Sequence, residues 1–189
     1  MQIRPLSEDD GALVDALVPL SVRAAALSSP AWLPTPEDAR AEILRALRPG
    51  RVCRALVDAG AALGWGGAFA SEATAWEIHP LLVDPAHHGR GAGRRLVAEL
   101  EAVAARAGAL VMALSTSDAL GATTPAGRDL YADPLGALAR LDVREPGARH
   151  AIGFWRAVGY SVVGVLPDAE GEGVPSIRFA KRLAPAGRR

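Results

Sequence analysis

The sequence predicts an α+β domain whose central sheet is mostly antiparallel with one parallel crossover, and three observations predict it. Two apolar runs at 51–57 and 62–70 flank the turn Asp58, Ala59, Gly60, the pattern of an antiparallel hairpin. A strand-like segment at 75–83, a glycine-rich turn, an amphipathic segment at 93–107 and a short apolar run at 109–114 follow one another as strand, turn, helix, strand. Two further strand patterns, 160–166 and 177–183, close the chain around an acidic loop.

Each element has a local reason. Residues 2–6 read as a short strand, and the oxygens of residues 7–10 cap a helix at 11–26. Three prolines in 28–36 interrupt it. Pro36 and two acids then start a second helix at 37–47, with Ile43, Leu44 and Leu47 on one face, and Pro49 and Gly50 stop it. Leu96, Val97, Leu100 and Val103 give the helix at 93–107 its apolar face, and 109–114, bounded by Gly108, reads as a buried strand beside it. Residues 115–146 form a long connection with three prolines and a short helix at 135–141; a connection of that length inside a domain is usually functional. A helix at 150–158 ends at Gly159, and the tail 184–189 is expected to fray. No repeat or second core is visible, so 1–189 is read as one domain.

Composition narrows the partners. The 21 basic and 21 acidic residues cancel, so no overall field draws the chain to nucleic acid or to an anionic membrane. The chain lacks the basic start and apolar core of a signal peptide and has no membrane-spanning run. One cysteine, Cys53 in an apolar run, permits no intramolecular disulfide or paired-cysteine metal site; the expectation is a buried inert thiol in a reducing cytoplasm. No metal is expected.

The residues after Val83, Asp84 and Pro85 carry the strongest signal. His88, Gly89, Arg90, Gly91, Ala92 and Gly93 turn the chain sharply into a helix, so that amides without neighbouring Cβ atoms and the positive end of the helix face one another. Arg90, Arg94 and Arg95 add charge, and the whole suits a pyrophosphate. No Lys-Ser/Thr pair closes a Walker turn, and Arg94 stands where the dinucleotide pattern needs its third glycine. The turn also reads simply as a link between strand and helix.

HGRGAG resembles the acetyl-CoA motif of the GNAT superfamily, Q/R-x-x-G-x-G/A, with His88 at its first position. The resemblance extends over most of 75–183, where WEIHPLLVDP, YADPLGALARLD and RHAIGFWRAVGYSVVGVLPDAEG look like the aminoglycoside 6′-N-acetyltransferase-like subgroup. It implies a mixed sheet of about seven strands with flanking helices, the strands at 75–83 and 109–114 splayed apart, and acetyl-CoA as co-substrate. It further implies that Leu81, Leu82 and Val83 bind the thioester and pantetheine, that residues 88–94 bind the pyrophosphate, that Trp155 packs beside the cofactor arm, and that a homodimer is common.

Acetyl transfer to an amine needs a base for the acceptor, stabilisation of the thioester oxygen and a proton or field for the thiolate. Strand alternation puts Glu77, His79 and Leu81 on one face, and Pro80, without an N–H, suits a bulge. By resemblance Glu77 is the general base, with His79 orienting it or relaying protons; both also read as an exposed strand residue and a loop contact. The family's tyrosine acid is replaced by Trp155, whose indole cannot protonate a thiolate, so the thiolate leaves unaided or Tyr131 supplies the proton; Tyr131 also reads as packing of the connection. Asp118, Glu72, Asp168 and Glu170 are candidates for a cationic acceptor, or solvated turns. Trp32 and its apolar neighbours could form an interface or the acceptor wall. The leading expectation is transfer to a primary amine of a small cationic acceptor, aminoglycoside or polyamine-like, with 115–146 as a substrate lid; a protein N-terminal or lysine acetyltransferase and a non-catalytic CoA-binding sensor or interaction module are the alternatives.

Overall fold

The computed structural model describes residues 1–145 and 150–184. Its elements in chain order are β1 (Gln2–Pro5), α1 (Gly11–Ala25), α2 (Pro36–Ala46), β2 (Arg51–Asp58), β3 (Ala61–Ala70), β4 (Ala75–Val83), α3 (Ala92–Arg106), β5 (Val111–Ser117), α4 (Pro134–Ala139), α5 (Ile152–Ala157), β6 (Ser161–Leu166) and β7 (Ser176–Arg182). The strands make one mixed sheet in the order β1-β2-β3-β4-β5-β7-β6, and the crossover from β4 through α3 to β5 is its parallel step. The α+β class follows. The described residues group into two compact units: 1–26 with 31–112 and 182–184, and 27–30 with 113–145 and 150–181. The frayed tail predicted for 184–189 lies, beyond Ala184, outside the described residues, as does the last residue of the 115–146 connection.

In the first unit the predicted hairpin closes through two residues. Asp58 stands opposite Ala61, and Ala59 and Gly60 take φ of 46° and 82°, a handedness that matches the twist of the paired strands. The helices divide the two faces of this sheet. Cys53, Ala55, Trp65 and Leu82 pack with Val14, Leu17, Ala39 and Ile43 of α1 and α2, while Leu56 and Leu63 pack with Ala92 and Leu96 of α3. Trp65 is fully buried; its indole N–H donates to Ser21 Oγ at 2.9 Å, and Ser21 donates to the Leu17 carbonyl at 2.8 Å, so the one polar atom of the largest core side chain is satisfied. Cys53 is buried, its thiol donates to the Ala46 carbonyl, and burial pushes it up to about 11, as expected of an inert thiol.

One predicted strand and one predicted helix face shift for local reasons. Gly108 (φ 89°) and the bond from Ala109 N to the Ala104 carbonyl finish α3, so β5 begins at Val111 rather than at 109 and runs on through Ser117. The buried face of α2 is Ala39, Glu42, Ile43 and Ala46, and Leu44, expected on that face, is 42% exposed. The stripe follows the i, i+3, i+4, i+7 spacing, and one of its members is a carboxylate.

In the second unit β6 pairs antiparallel with β7, Ser161 opposite Ala180 and Leu166 opposite Ser176. The predicted helix at 150–158 is shorter, Ile152–Ala157, because His150 Nδ1 accepts the Ile152 N–H at 3.1 Å and holds the preceding residues out of the helix. Among the described residues no helix is long and apolar enough to cross a membrane.

Candidate active site

The site is built around a break in β4. Gly66 stands opposite Leu81 and Ala68 opposite Ile78, so Gly67 alone faces the two residues His79 and Pro80. This is a bulge, located where proline removes a ladder donor; the His79–Pro80 peptide is cis. Gly67 is what lets β3 approach it, since a Cβ there would lie 2.9 Å from the His79 carbonyl oxygen.

An extra residue also changes which way the later side chains point. Glu77 stands opposite Phe69, which stands opposite Arg51, whose guanidinium carbon lies 4.2 Å from the centre of the Phe69 ring. His79 reaches α2 on that same face. Leu81 and Val83 instead pack with the α3 cluster, and Leu82 with the α1 and α2 cluster. Simple alternation put Leu81 beside Glu77 and His79; the bulge sends it to the opposite face.

His79 meets two side chains there. Its Nε2 lies 3.2 Å from Glu42 Oε1, and its ring centre 5.6 Å from that of Trp32, tilted by 42°. Glu42 is 2% exposed. Its Oε2 accepts from Arg45 Nη1, whereas its Oε1 receives no well-aligned hydrogen bond: the His79 contact has the distance of one without the angle. Burial raises the Glu42 carboxyl, but His79, Arg45 and Arg51 together outweigh it and hold the group below its ordinary value. A buried carboxylate without such partners would cost several kcal/mol, on the order of 3–5.

Beyond Val83 the chain forms the turn. Asp84 accepts the Ala86 N–H at 2.9 Å and pairs with Arg23 of α1, and His88 Nε2 lies 3.0 Å from the Val83 carbonyl, so the non-consensus histidine ties the turn back to β4. Gly89 and Gly91 have φ of 73° and 81°, and Gly91 caps α3. A side chain at Gly91 would be strained, and the amides of Ala92, Gly93 and Arg94 open a 15-residue helix with no acid in its first turn. Residues 88–91, Arg94 and Arg95 are exposed. Backbone amides at an exposed turn, a helix start and arginines are the donor set an anionic pyrophosphate requires.

Residues 20–137, from α1 into α4, match the acetyltransferase (GNAT) family. The chain belongs to that family. Its structure superposes on a crystal structure of an aminoglycoside 6′-N-acetyltransferase complexed with coenzyme A, with a TM-score of 0.85, 30% identity and all of both chains covered. The aminoglycoside 6′-N-acetyltransferase from Enterococcus faecium gives 0.83 and 31%, again over the whole of both chains. An aminoglycoside 6′-acetyltransferase of type Ii gives 0.70 and 28%, covering 98% of this chain and 99% of the other. No curated protein matches the sequence. The protein is a GNAT acetyltransferase.

The remaining candidates of this acetyltransferase have varied surroundings. Glu72 is exposed in the bend before β4. Asp118, expected at an open strand mouth, is 2% exposed and its carboxylate is engaged: Oδ1 accepts from Ala122 N at 2.7 Å, and Oδ2 from Thr123 N at 2.9 Å and from the Thr123 hydroxyl. Asp168 is exposed in the β6–β7 loop, where it accepts the Gly173 N–H at 2.7 Å, and Glu170 is exposed nearby. Tyr131 is 69% exposed. Trp155 is 5% exposed, with ring centres of Phe154 and Tyr160 at 4.9 and 5.1 Å.

Two cavities, of about 330 and 270 Å3, are lined by residues 118–144 with Gly173 and Val174. Neither includes a β4 residue. The β4 cluster is the stronger candidate for the chemistry because it gathers a carboxylate and an imidazole on the strand that runs into the amide turn. Glu42 and the Trp32–His79 contact escaped sequence reasoning. A signal existed for Glu42, an acid between Ala39, Ile43 and Ala46 on an apolar stripe; its partner is 37 positions away.

Proposed function

We propose that this GNAT acetyltransferase moves the acetyl group of acetyl-CoA to a primary amine of a small cationic acceptor of the aminoglycoside type. The observation that carries the reading is β4 itself: Glu77 and His79 share one face ahead of the bulge, and the strand runs into the exposed amide turn at the start of α3. Full-length likeness to two aminoglycoside 6′-N-acetyltransferases, one of them holding coenzyme A, supports both substrates.

In the proposed reaction the turn amides of residues 89–94 and Arg90 hold the pyrophosphate, and backbone amides at 81–83 hold the pantetheine and thioester. Glu77 takes the proton of the acceptor ammonium, directly or through a water, and the freed amine attacks the thioester carbon. The C–N bond forms as the C–S bond breaks; the second proton that the attacking nitrogen sheds passes to water, and the thiolate takes one from Tyr131 or from water. Glu72, Asp168 and Glu170 would favour a cationic acceptor, and 115–146 would close over it.

Thiol release from acetyl-CoA tests this, with aminoglycosides carrying a 6′-amine, analogues carrying a 6′-hydroxyl, polyamines and N-terminal peptides as acceptors. Release with the 6′-amines and not with the 6′-hydroxyl analogues is expected. Glu77→Gln is expected to lower kcat by about 10²–10⁴-fold. Tight acetyl-CoA binding with no release for any acceptor would overturn the enzymatic reading, and full activity of Glu77→Gln would remove the base assignment.

A further inference from the structure

Glu42 occupies a core position of α2 that an apolar residue would fill, flanked by Ala39, Ile43 and Ala46. Buried carboxylates are rarely the most stable choice, and replacing such ion pairs by well-packed apolar residues is often neutral or stabilising. Arg45 satisfies one of its oxygens from the same helix. The other, Oε1, is buried without an aligned donor, and His79 Nε2 stands 3.2 Å from it. Trp32 packs on the imidazole at 5.6 Å, Arg51 of β2 acts on the Glu42 charge, and Glu77 shares the face. At that distance a modest rotation of the ring completes the hydrogen bond, and an imidazole whose one nitrogen donates to a carboxylate has its tautomer and its ring plane set by it.

We propose that Glu42 is a positioning residue for acetyl transfer: held by Arg45, its carboxylate keeps the His79 proton on Nε2, so that Nδ1 is the nitrogen left to accept a hydrogen bond from the acceptor's ammonium beside Glu77. The inference rests on the acetyltransferase reading of this site. It gives a reason for a carboxylate in the core, and it divides the labour on the strand. His79 orients the amine, Glu77 removes its proton, and Glu42 touches neither substrate.

The test joins spectroscopy to kinetics. The chain has four histidines, so long-range ¹H–¹⁵N correlation spectra of ¹⁵N-histidine protein at pH 8 can be assigned through single variants. The wild type is expected to show His79 protonated on Nε2 with Nδ1 bare, and Glu42→Gln and Glu42→Leu to lose that preference. Glu42→Leu keeps the core filled, which guards against simple unfolding. In the kinetics, Glu42→Gln should lower kcat/KM for the acceptor by about ten- to a hundredfold while KM for acetyl-CoA stays within about twofold. In a His79→Gln background the same change should add nothing further. An unchanged His79 tautomer in both Glu42 variants, or an equal loss with and without His79, would overturn the proposal. A wild type that acetylates no acceptor would instead sink the function proposed above, and the tautomer measurement would still decide the Glu42–His79 contact.

Discussion

Two carboxylates in this protein are equally hidden, and they are held in opposite ways. Asp118, just past β5, is 2% exposed and accepts two backbone N–H groups and a hydroxyl from the turn at 122–123. Glu42, in α2, is also 2% exposed, yet one of its oxygens has only a misaligned imidazole within reach. Burial makes both costly, so each must be retained for a reason. For Asp118 the reason is local and complete: the carboxylate replaces a turn's missing acceptors. For Glu42 the local reason is incomplete, and its surplus capacity points at His79. Burial by itself therefore says little about role, and the list of partners says much more.

The largest expected effect separates the two directly. Asp118→Ala strips three hydrogen bonds from buried or half-buried donors and should lower stability by about 3 kcal/mol in urea unfolding. Gly67→Ala comes next: the new Cβ would sit against the His79 carbonyl, and a cost of about 2 kcal/mol is expected, together with a changed His79 signal because the bulge must move. Glu42→Leu should alter stability by no more than about 1 kcal/mol, in the stabilising direction. A loss as large as that of Asp118→Ala would make Glu42 a structural group after all and erase the contrast.

The smallest effect is a pH dependence beside Asp118. His150 Nδ1 accepts the Ile152 N–H and Nε2 faces the Ser117 carbonyl at 3.2 Å, an arrangement that fits the neutral ring. Burial holds this imidazole below its ordinary value of 6.5, although Asp118 and the Ser117 carbonyl pull the other way. With the folded value below the unfolded one, the contribution to stability is fully present above pH 6.5 and is lost as pH falls through the folded value. Thermal unfolding from pH 8 downward should therefore show a decline beginning near pH 6.5, and His150→Gln should flatten it.

Local backbone features around the site were legible in the chain. The glycine turn was legible because positive φ and exposed amides at a helix start are properties of a few adjacent residues, and Gly89 and Gly91 have them. Cys53 was legible as inert because it stands in an apolar strand. Leu81 was misplaced beside Glu77 and His79, because Pro80 signals a bulge but not its effect on the side chains beyond it. Asp118 was read as an open carboxylate because the amides that engage it belong to a turn with no distinctive sequence. Glu42 was passed over altogether, since 37 residues separate it from His79.

What the sequence by itself determined is the family and the order of elements: periodicity, prolines and glycines act within one turn or one strand, and a backbone of amides can bind a phosphate whatever side chains surround it. Only the tertiary structure decided which side chains share a face. A bulge of one residue turns Leu81 away from His79, and packing α2 against the sheet brings Glu42 to the imidazole; both depend on pairing between distant segments, which no local pattern records.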